Sequence, residues 1–400
     1  MKRRDFVKTA AAGFSLASAY RKLFPQKTDS PSTLYWVKNI PDDPFYQANH
    51  FHAGIDTLLQ SMAQDGLAFY RGSQQSKVGP LGLIAPDDIV LIKVNAQWKF
   101  RGCTNSDLVR GLIARILDHP QGFRGEVIIV ENGQGRGSLN CDTYAAYGNH
   151  EVHANANDES HSFLYLQRQL FDDPRVSTFL LDGISGRFIA DDDHVTNGYR
   201  RFENVSYPCF TSAAGNRVEL KDGIWNGSGH DQNLKLINVP VLKHHDVNGS
   251  EITAALKHFY GLVSMADGQV PFRHYDGLGE SCGKMVVSVR TPVLNIIDAI
   301  WVSYKSITGY PLDATCRVNQ LLASQDPVAL DYWAAKYILY PINLNFRHHP
   351  DFPNIDRWLT AARDTINDRQ GILNRGAGIQ VGQVTKDENL MRVVTAEASS

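Results

Sequence analysis

The sequence predicts an α/β fold: a largely parallel sheet with flanking helices and two long polar insertions. Three observations predict it. Continuous runs of aliphatic and β-branched residues, DIVLIKV at 88–94, EVIIV at 126–130 and LKLINVPV at 234–241, suit strands covered on both faces. Between them lie helix-like stretches and connections long enough for parallel crossovers. Composition supplies the core, since 43% hydrophobic residues among 400 support one large domain with insertions or two domains.

The elements follow in order. Asn105 to Leu117 is helical, because Leu108, Leu112, Ile116 and Leu117 share one face. After the strand at 126–130, a helix is expected near 159–171 and a strand at 176–181. Leu234 to Val241, Val293 to Ile300 and Gln320 to Ser324 continue the series. Asn248, three residues before Glu251, reads as a capping box, with Ile252, Ala255, Leu256, Phe259 and Val263 as the buried stripe. Asp326-Pro327 opens a further helix, Asp as N-cap and Pro at its first position. Residues 131–158 and 182–232, rich in Gly, Asn, Asp, His and aromatics, interrupt the alternation and read as insertions capping a site. A hairpin is expected at Asp222-Gly223. Residues 34–400 are thus read as one α/β domain.

The first residues carry a different signal. Lys2-Arg3-Arg4-Asp5-Phe6-Val7-Lys8 resembles the twin-arginine export motif; TAAAGFSLASAY follows, and Ala17-Ser18-Ala19 fits a small-x-small cleavage site. A signal peptide over 1–19 is expected, then a linker over 20–33 ending in KTDSPST. The implied partner is the twin-arginine export machinery, and the implied location periplasmic or otherwise exported. No apolar run is long enough for a stable membrane span. Losing residues 1–19 removes four positive charges and one negative, moving the formal charge from −2 to −5, so nucleic acid is not an expected partner. The five cysteines include no C-x-x-C, which makes an iron–sulfur cluster unexpected; their odd number leaves at least one outside any intramolecular disulfide.

In an open parallel sheet, ligands gather beyond the carboxyl ends of the strands, so the polar residues there are the site candidates. Lys93 and Asn95 end the first strand. Glu131 and Asn132 follow the second and open ENGQGRG, a glycine-rich loop that matches no phosphate motif and reads as a turn. Asp182 follows VSTFLL, and Asp298 lies within LNIIDAI. VPVLKHHD places Lys243 and His245 between a strand and a helix, where a lysine and backbone N–H groups can hold an anion and an imidazole can move a proton. Lys257 lies off the next helix's apolar stripe. A metal is possible but unassigned: His150-Glu-Val-His153 has i, i+3 spacing, and Asp191-Asp192-Asp193-His194 lacks the pattern of a calcium loop.

Taken together, LINVPVLKHHD, ITAALKHFYGLV, LNIIDAI, GYP and LLASQDPVALDYWAA resemble the DUF362 family, a domain of unknown function. IVLIKVN and VIIVENG fit its amino-terminal half, so the resemblance runs over about residues 88–340. It implies Lys93, Asn95, Glu131, Lys243, His245, Lys257, His274, Asp298, Asp326 and Asp331 as matching positions. His258 stands where Asn is usual, Tyr310 separates the glycine and proline of a G-P, and the ferredoxin-like cysteine module of many relatives is lacking. The resulting expectation is an exported enzyme acting on a small anionic ligand. Lys243, His245 and Glu131 would be catalytic, and Lys93, Asn95, Lys257, His274 and Asp298 would bind substrate. The competing expectations are a cofactor or metal carrier without turnover, and an interaction protein.

Overall fold

The computed structural model describes residues 31–45, 49–72, 82–142, 149–247, 249–268, 274–369 and 382–398. The expected signal peptide, the linker up to residue 30, Asn248 and residues 143–148 of the first insertion lie outside the described residues. Two sheets organise the rest. The first contains β1 (Ser32–Lys38), β2 (Ile89–Val94), β3 (Glu126–Glu131) and β4 (Val176–Leu180). The chain then builds a second sheet from β5 (Gly198–Phe202), β6 (Val205–Thr211), β7 (Arg217–Glu219), β8 (Gly223–Trp225) and β9 (His230–Asp231). It returns to the first with β10 (Leu234–Val239), β11 (Val241–His244), β12 (Ile252–Thr253), β13 (Leu294–Ser303), β14 (Thr315–Ser324) and β15 (Met391–Glu397).

The ten-stranded sheet runs β15-β1-β14-β13-β10-β2-β3-β4, with β11 beside β13 and β12 beside β11. Its neighbours from β13 through β10, β2 and β3 to β4 pair in parallel. All six residues of β2, β3 and β10 are buried, the environment that non-alternating apolar runs require. The sheet is mixed, because β14 runs antiparallel to both β13 and β1. Apolar runs report burial on two faces and not strand direction, so this reversal was not legible. Each face has its own core. Leu108, Leu112 and Ile116 of helix Ser106–Leu117 pack with Ile92 and Ile129 on one; Leu256, Phe259, Val328 and Trp358 pack with Leu91 and Leu236 on the other.

Two sequence expectations change. Residues 198–231 are no polar flap: the five-stranded antiparallel sheet contributes Tyr199, Tyr207, Phe210 and Val218 to the second of those cores. Strand alternation hides such an inner face within a polar average. The hairpin at Asp222-Gly223 does join β7 to β8. Nor does Glu251 cap a helix. It has φ +63°, and Arg347 and Asn354 hold its carboxylate, while Ile252–Thr253 pair with β11. The helix covers only Ala255–His258, and Asp331 supplies its cap by accepting from the N–H groups of Ala255 (2.6 Å) and Leu256 (2.9 Å). Among the described residues no helix is long and apolar enough to cross a membrane.

Candidate functional site

Parallel pairing brings the carboxyl ends of β2 and β3 side by side, and β11 delivers Lys243 and His245 to the same rim. Helix Ala255–His258 faces them, placed by Asp331. A cleft of about 30 Å³ results, lined among others by Glu131, Lys243, His245, Lys257 and His258. Lys93 lies behind its wall, fully buried.

Lys93 explains the inner half of the site. Its Nζ donates to Val94 O (2.8 Å), to Glu131 Oε2 and to Nε2 of His258 (2.9 Å). The tautomer of His258 is dictated from behind. Asn295 uses its amide to reach Ser324 O (3.2 Å), Asn238 uses its own to reach Asn295 Oδ1 (2.9 Å) and Ala255 O, and Asn238 Oδ1 therefore faces His258 Nδ1 at 2.6 Å. His258 must donate from Nδ1, which leaves the Nε2 lone pair for Lys93. Burial, with Lys93 beside it, holds this histidine well below its ordinary value, consistent with a neutral ring. Burial also pushes Lys93 down and pushes Glu131 up to about 7. A proton can pass from Lys93 to Glu131 while the two remaining N–H groups keep Val94 and His258 satisfied. The pair can therefore carry the proton on either member without orphaning a neighbour. Gly261 packs against it: a Cβ there would lie 2.8 Å from Lys93 Nζ and 3.1 Å from Glu131 Oε1.

The outer half has fewer bonds. Lys243 donates to Gly102 O at 2.7 Å, and burial lowers it to about 7, with Lys257 and Lys93 adding like charge. Lys257 sits over the Tyr260 ring, 4.3 Å from its centroid, makes no hydrogen bond among the described residues, and is lowered by burial to about 8. His245 contacts Thr253 Oγ1 through Nδ1 at 3.0 Å, and its Nε2 makes no hydrogen bond among the described residues. Burial and the two lysines keep it well below the ordinary histidine value. His274 packs edge-on to His245 at 6.0 Å between centroids and lies 5.0 Å from Tyr260, with burial lowering it to about 4.

Other predicted positions serve the scaffold. Asp298 does not line the cleft: its carboxylate accepts from the backbone N–H of Asn105 (2.7 Å) and Ile300 (3.0 Å), pinning the 95–105 loop to β13, and burial raises it to about 7. Asn95 borders the cleft while its Oδ1 accepts from Val241 N–H. Asp326 caps the next helix through Val328 and Ala329 and also receives Thr385 N–H. The ENGQGRG loop offers no open nest, since Asp182 takes the N–H groups of Gly133 and Gly135 at 2.6 Å each. His258, Asn238, Tyr260 and Gly261 were not singled out as site residues. They lie on apolar elements, and nothing in a linear pattern marks a tertiary chain of side-chain bonds.

Among the described residues, one group of His, Cys, Asp and Glu has metal-like proximity: Glu219 and His230 on the small sheet and His194 in the segment before it. Glu219 bonds His194 Nδ1 at 2.7 Å and His230 Nε2 at 2.9 Å, but it also takes Arg200 at 2.8 Å with Arg217 at 3.9 Å. Two guanidinium groups put positive charge where a cation would sit, so the group fits a buried ion-pair network better than a metal centre. A wider depression of about 270 Å³ near Ser160, Tyr165 and Arg168 gathers no comparable set of titratable groups.

Fold and site together define an α/β protein with a mostly parallel sheet and a lysine-rich cleft at the strands' carboxyl edge. Residues 231–336 match the family described as Domain of unknown function (DUF362), so that domain is present and contributes β10 to β14, Lys243, His245 and Lys257. Lys93 and Glu131 lie before the matched segment. No curated protein and no solved structure matches the chain.

Proposed function

We propose that the protein is an enzyme that binds a small anionic substrate in this cleft and moves a proton on it. Lys243 and Lys257 receive the charge, His245 exchanges hydrogen bonds and protons with the substrate, and the Lys93–Glu131 pair stores a proton beside it. One observation carries the reading: Lys243, Lys257, His245 and Glu131 line one buried cleft, in which Lys257 and His245 Nε2 make no hydrogen bond among the described residues. Burial first, and like charge after it, depress Lys243 and His245, and an anion would offset both. Its binding is therefore expected to draw in protons.

Calorimetry with phosphate and with small carboxylates, in buffers of different ionisation enthalpy, tests this. Binding with proton uptake near neutral pH is expected, and its loss in Lys243→Ala and His245→Ala variants that retain the wild-type circular dichroism. The reading falls if both variants fold and bind as the wild type does. Export belongs to the same proposal, supported by the Lys2–Lys8 motif. Native mass spectrometry of protein from the extracytoplasmic fraction is expected to find a chain starting after Ala19, and would expose a resident cofactor if the carrier reading held instead.

A further inference from the structure

The three lysines are not equivalent. Lys93 is spent, its three N–H directions taken by Val94, Glu131 and His258. Lys257 lies against the π-face of Tyr260, which favours its charged form and makes it the better anion holder. Lys243 differs from both: it lines the cleft, its one recorded hydrogen bond is to the neutral carbonyl of Gly102, and no carboxylate pairs with it among the described residues. A lysine becomes a nucleophile when it is desolvated and set beside other cations, because both effects favour the free amine.

Building on the anion-site reading, we infer that Lys243 forms an imine with a small 2-oxo acid whose carboxylate is held by Lys257. Nζ of the neutral amine attacks the 2-carbonyl carbon, and the carbonyl oxygen takes a proton to give a carbinolamine. That hydroxyl takes a second proton and leaves as water while the nitrogen loses its protons to form the C=N bond, so amine plus ketone gives imine plus water. Glu131 lines the same cleft and, at about 7, both gives and accepts protons near neutrality. The depression of Lys243 to about 7 agrees with a substantial free-amine population. The cleft is narrow, about 30 Å³, so the smallest 2-oxo acids are the probes to use.

The test incubates the full chain with pyruvate or glyoxylate and sodium cyanoborohydride, then maps the adduct by peptide mass spectrometry. One reduced adduct on Lys243 is expected, absent from Lys243→Arg. In Lys257→Ala the yield at equal pyruvate is expected to fall about tenfold, the usual loss for one charge-assisted contact. Adducts only on other lysines, or at Lys243 equally well in Lys257→Ala, overturn the inference. Calorimetry with pyruvate and lactate separates the two layers. If both bind through Lys257 and no adduct forms, the imine is refuted and the anion site stands; if neither binds and no adduct forms, both fall.

Discussion

Glu131 and Glu219 are both buried carboxylates that touch a basic side chain near histidines, and they differ in that a cleft opens beside Glu131. Glu219 on the small sheet bonds Arg200, His194 and His230, with Arg217 close by. Those partners are anchored elsewhere as well, Arg200 by Asp193 O and Arg217 by Asn197 Oδ1 (2.7 Å) and Thr196 O (2.8 Å), so the network is braced on several sides. Beside Glu131, which pairs with Lys93, the cleft holds Lys243 and Lys257 with no ion pair of their own among the described residues, and Lys257 and His245 Nε2 make no hydrogen bond there. The same residue types therefore build an interior brace in one place and a receptive cleft in the other. The distinction lies in access: Lys243, Lys257 and His245 line a cleft, whereas the arginines around Glu219 are tied to backbone carbonyls.

The largest effect is expected from breaking the brace. Glu219→Gln leaves Arg200, 4% exposed, without its counter-charge, and a buried ion stripped of its partner costs about 3–5 kcal/mol. Chemical denaturation should show that loss while calorimetry shows unchanged anion binding in the cleft. A matching loss of binding would mean that the two regions are one site.

The cleft should respond with the opposite sign. Lys243 has a folded-state value of about 7 against an ordinary 10.5, so between these the native state holds fewer protons than the unfolded chain. Its contribution to stability rises with pH over that window, and the full cost of burying the charge is present below it. Lys243→Met should therefore stabilise the protein by about 2–4 kcal/mol in mildly acidic buffer, a gain that fades as pH approaches the ordinary lysine value. Glu131 runs the other way: its raised value means the native state holds more protons between 4.5 and about 7, and stability falls as pH rises through that range. Denaturation of wild type and Lys243→Met across pH resolves the two slopes. Destabilisation by Lys243→Met at all pH values would show that this lysine is already paired, as Arg200 is.

How much of this was legible follows from the same distinction. The parallel core strands and the lysines at their ends could be read, because a buried strand leaves a continuous apolar run and its terminal polar residue stands out. Which polar residue stays receptive could not. Asp182 follows β4, Asp298 lies within β13 and Asp326 opens a helix, and like Glu131 at the end of β3 each is a polar residue beside an apolar run, yet backbone N–H groups occupy all three. The Asp326 cap is local and was readable from Asp-Pro, but the Asn105 donor to Asp298 and the Gly133 and Gly135 donors to Asp182 come from loops that only tertiary packing brings near. The His258–Asn238–Asn295 relay was invisible for the same reason, spanning three elements whose surroundings are apolar in sequence.

Asp331 gives the finest test, because it belongs to neither extreme. It lies on helix Pro327–Ala334 and holds the start of helix Ala255–His258 through two backbone N–H groups; burial lifts it to about 8 from an ordinary 3.8. With a raised value it binds more protons in the native state between those limits, so its contribution to stability falls as pH rises across them. Asn resembles the protonated acid but offers one strong acceptor, so Asp331→Asn should keep one of the two N–H bonds and cost about 1 kcal/mol in stability near neutrality, less than losing both. The helix start carries Lys257 and His258, so a small drift there should weaken anion binding a few-fold, in line with one loosened contact. Asp331 touches neither Lys243 nor the cleft, and the pH midpoint of reductive trapping at Lys243 should stay at its wild-type value. A shifted midpoint would make Asp331 part of the proton chemistry, and the division between scaffold carboxylates and Glu131 would have to be redrawn.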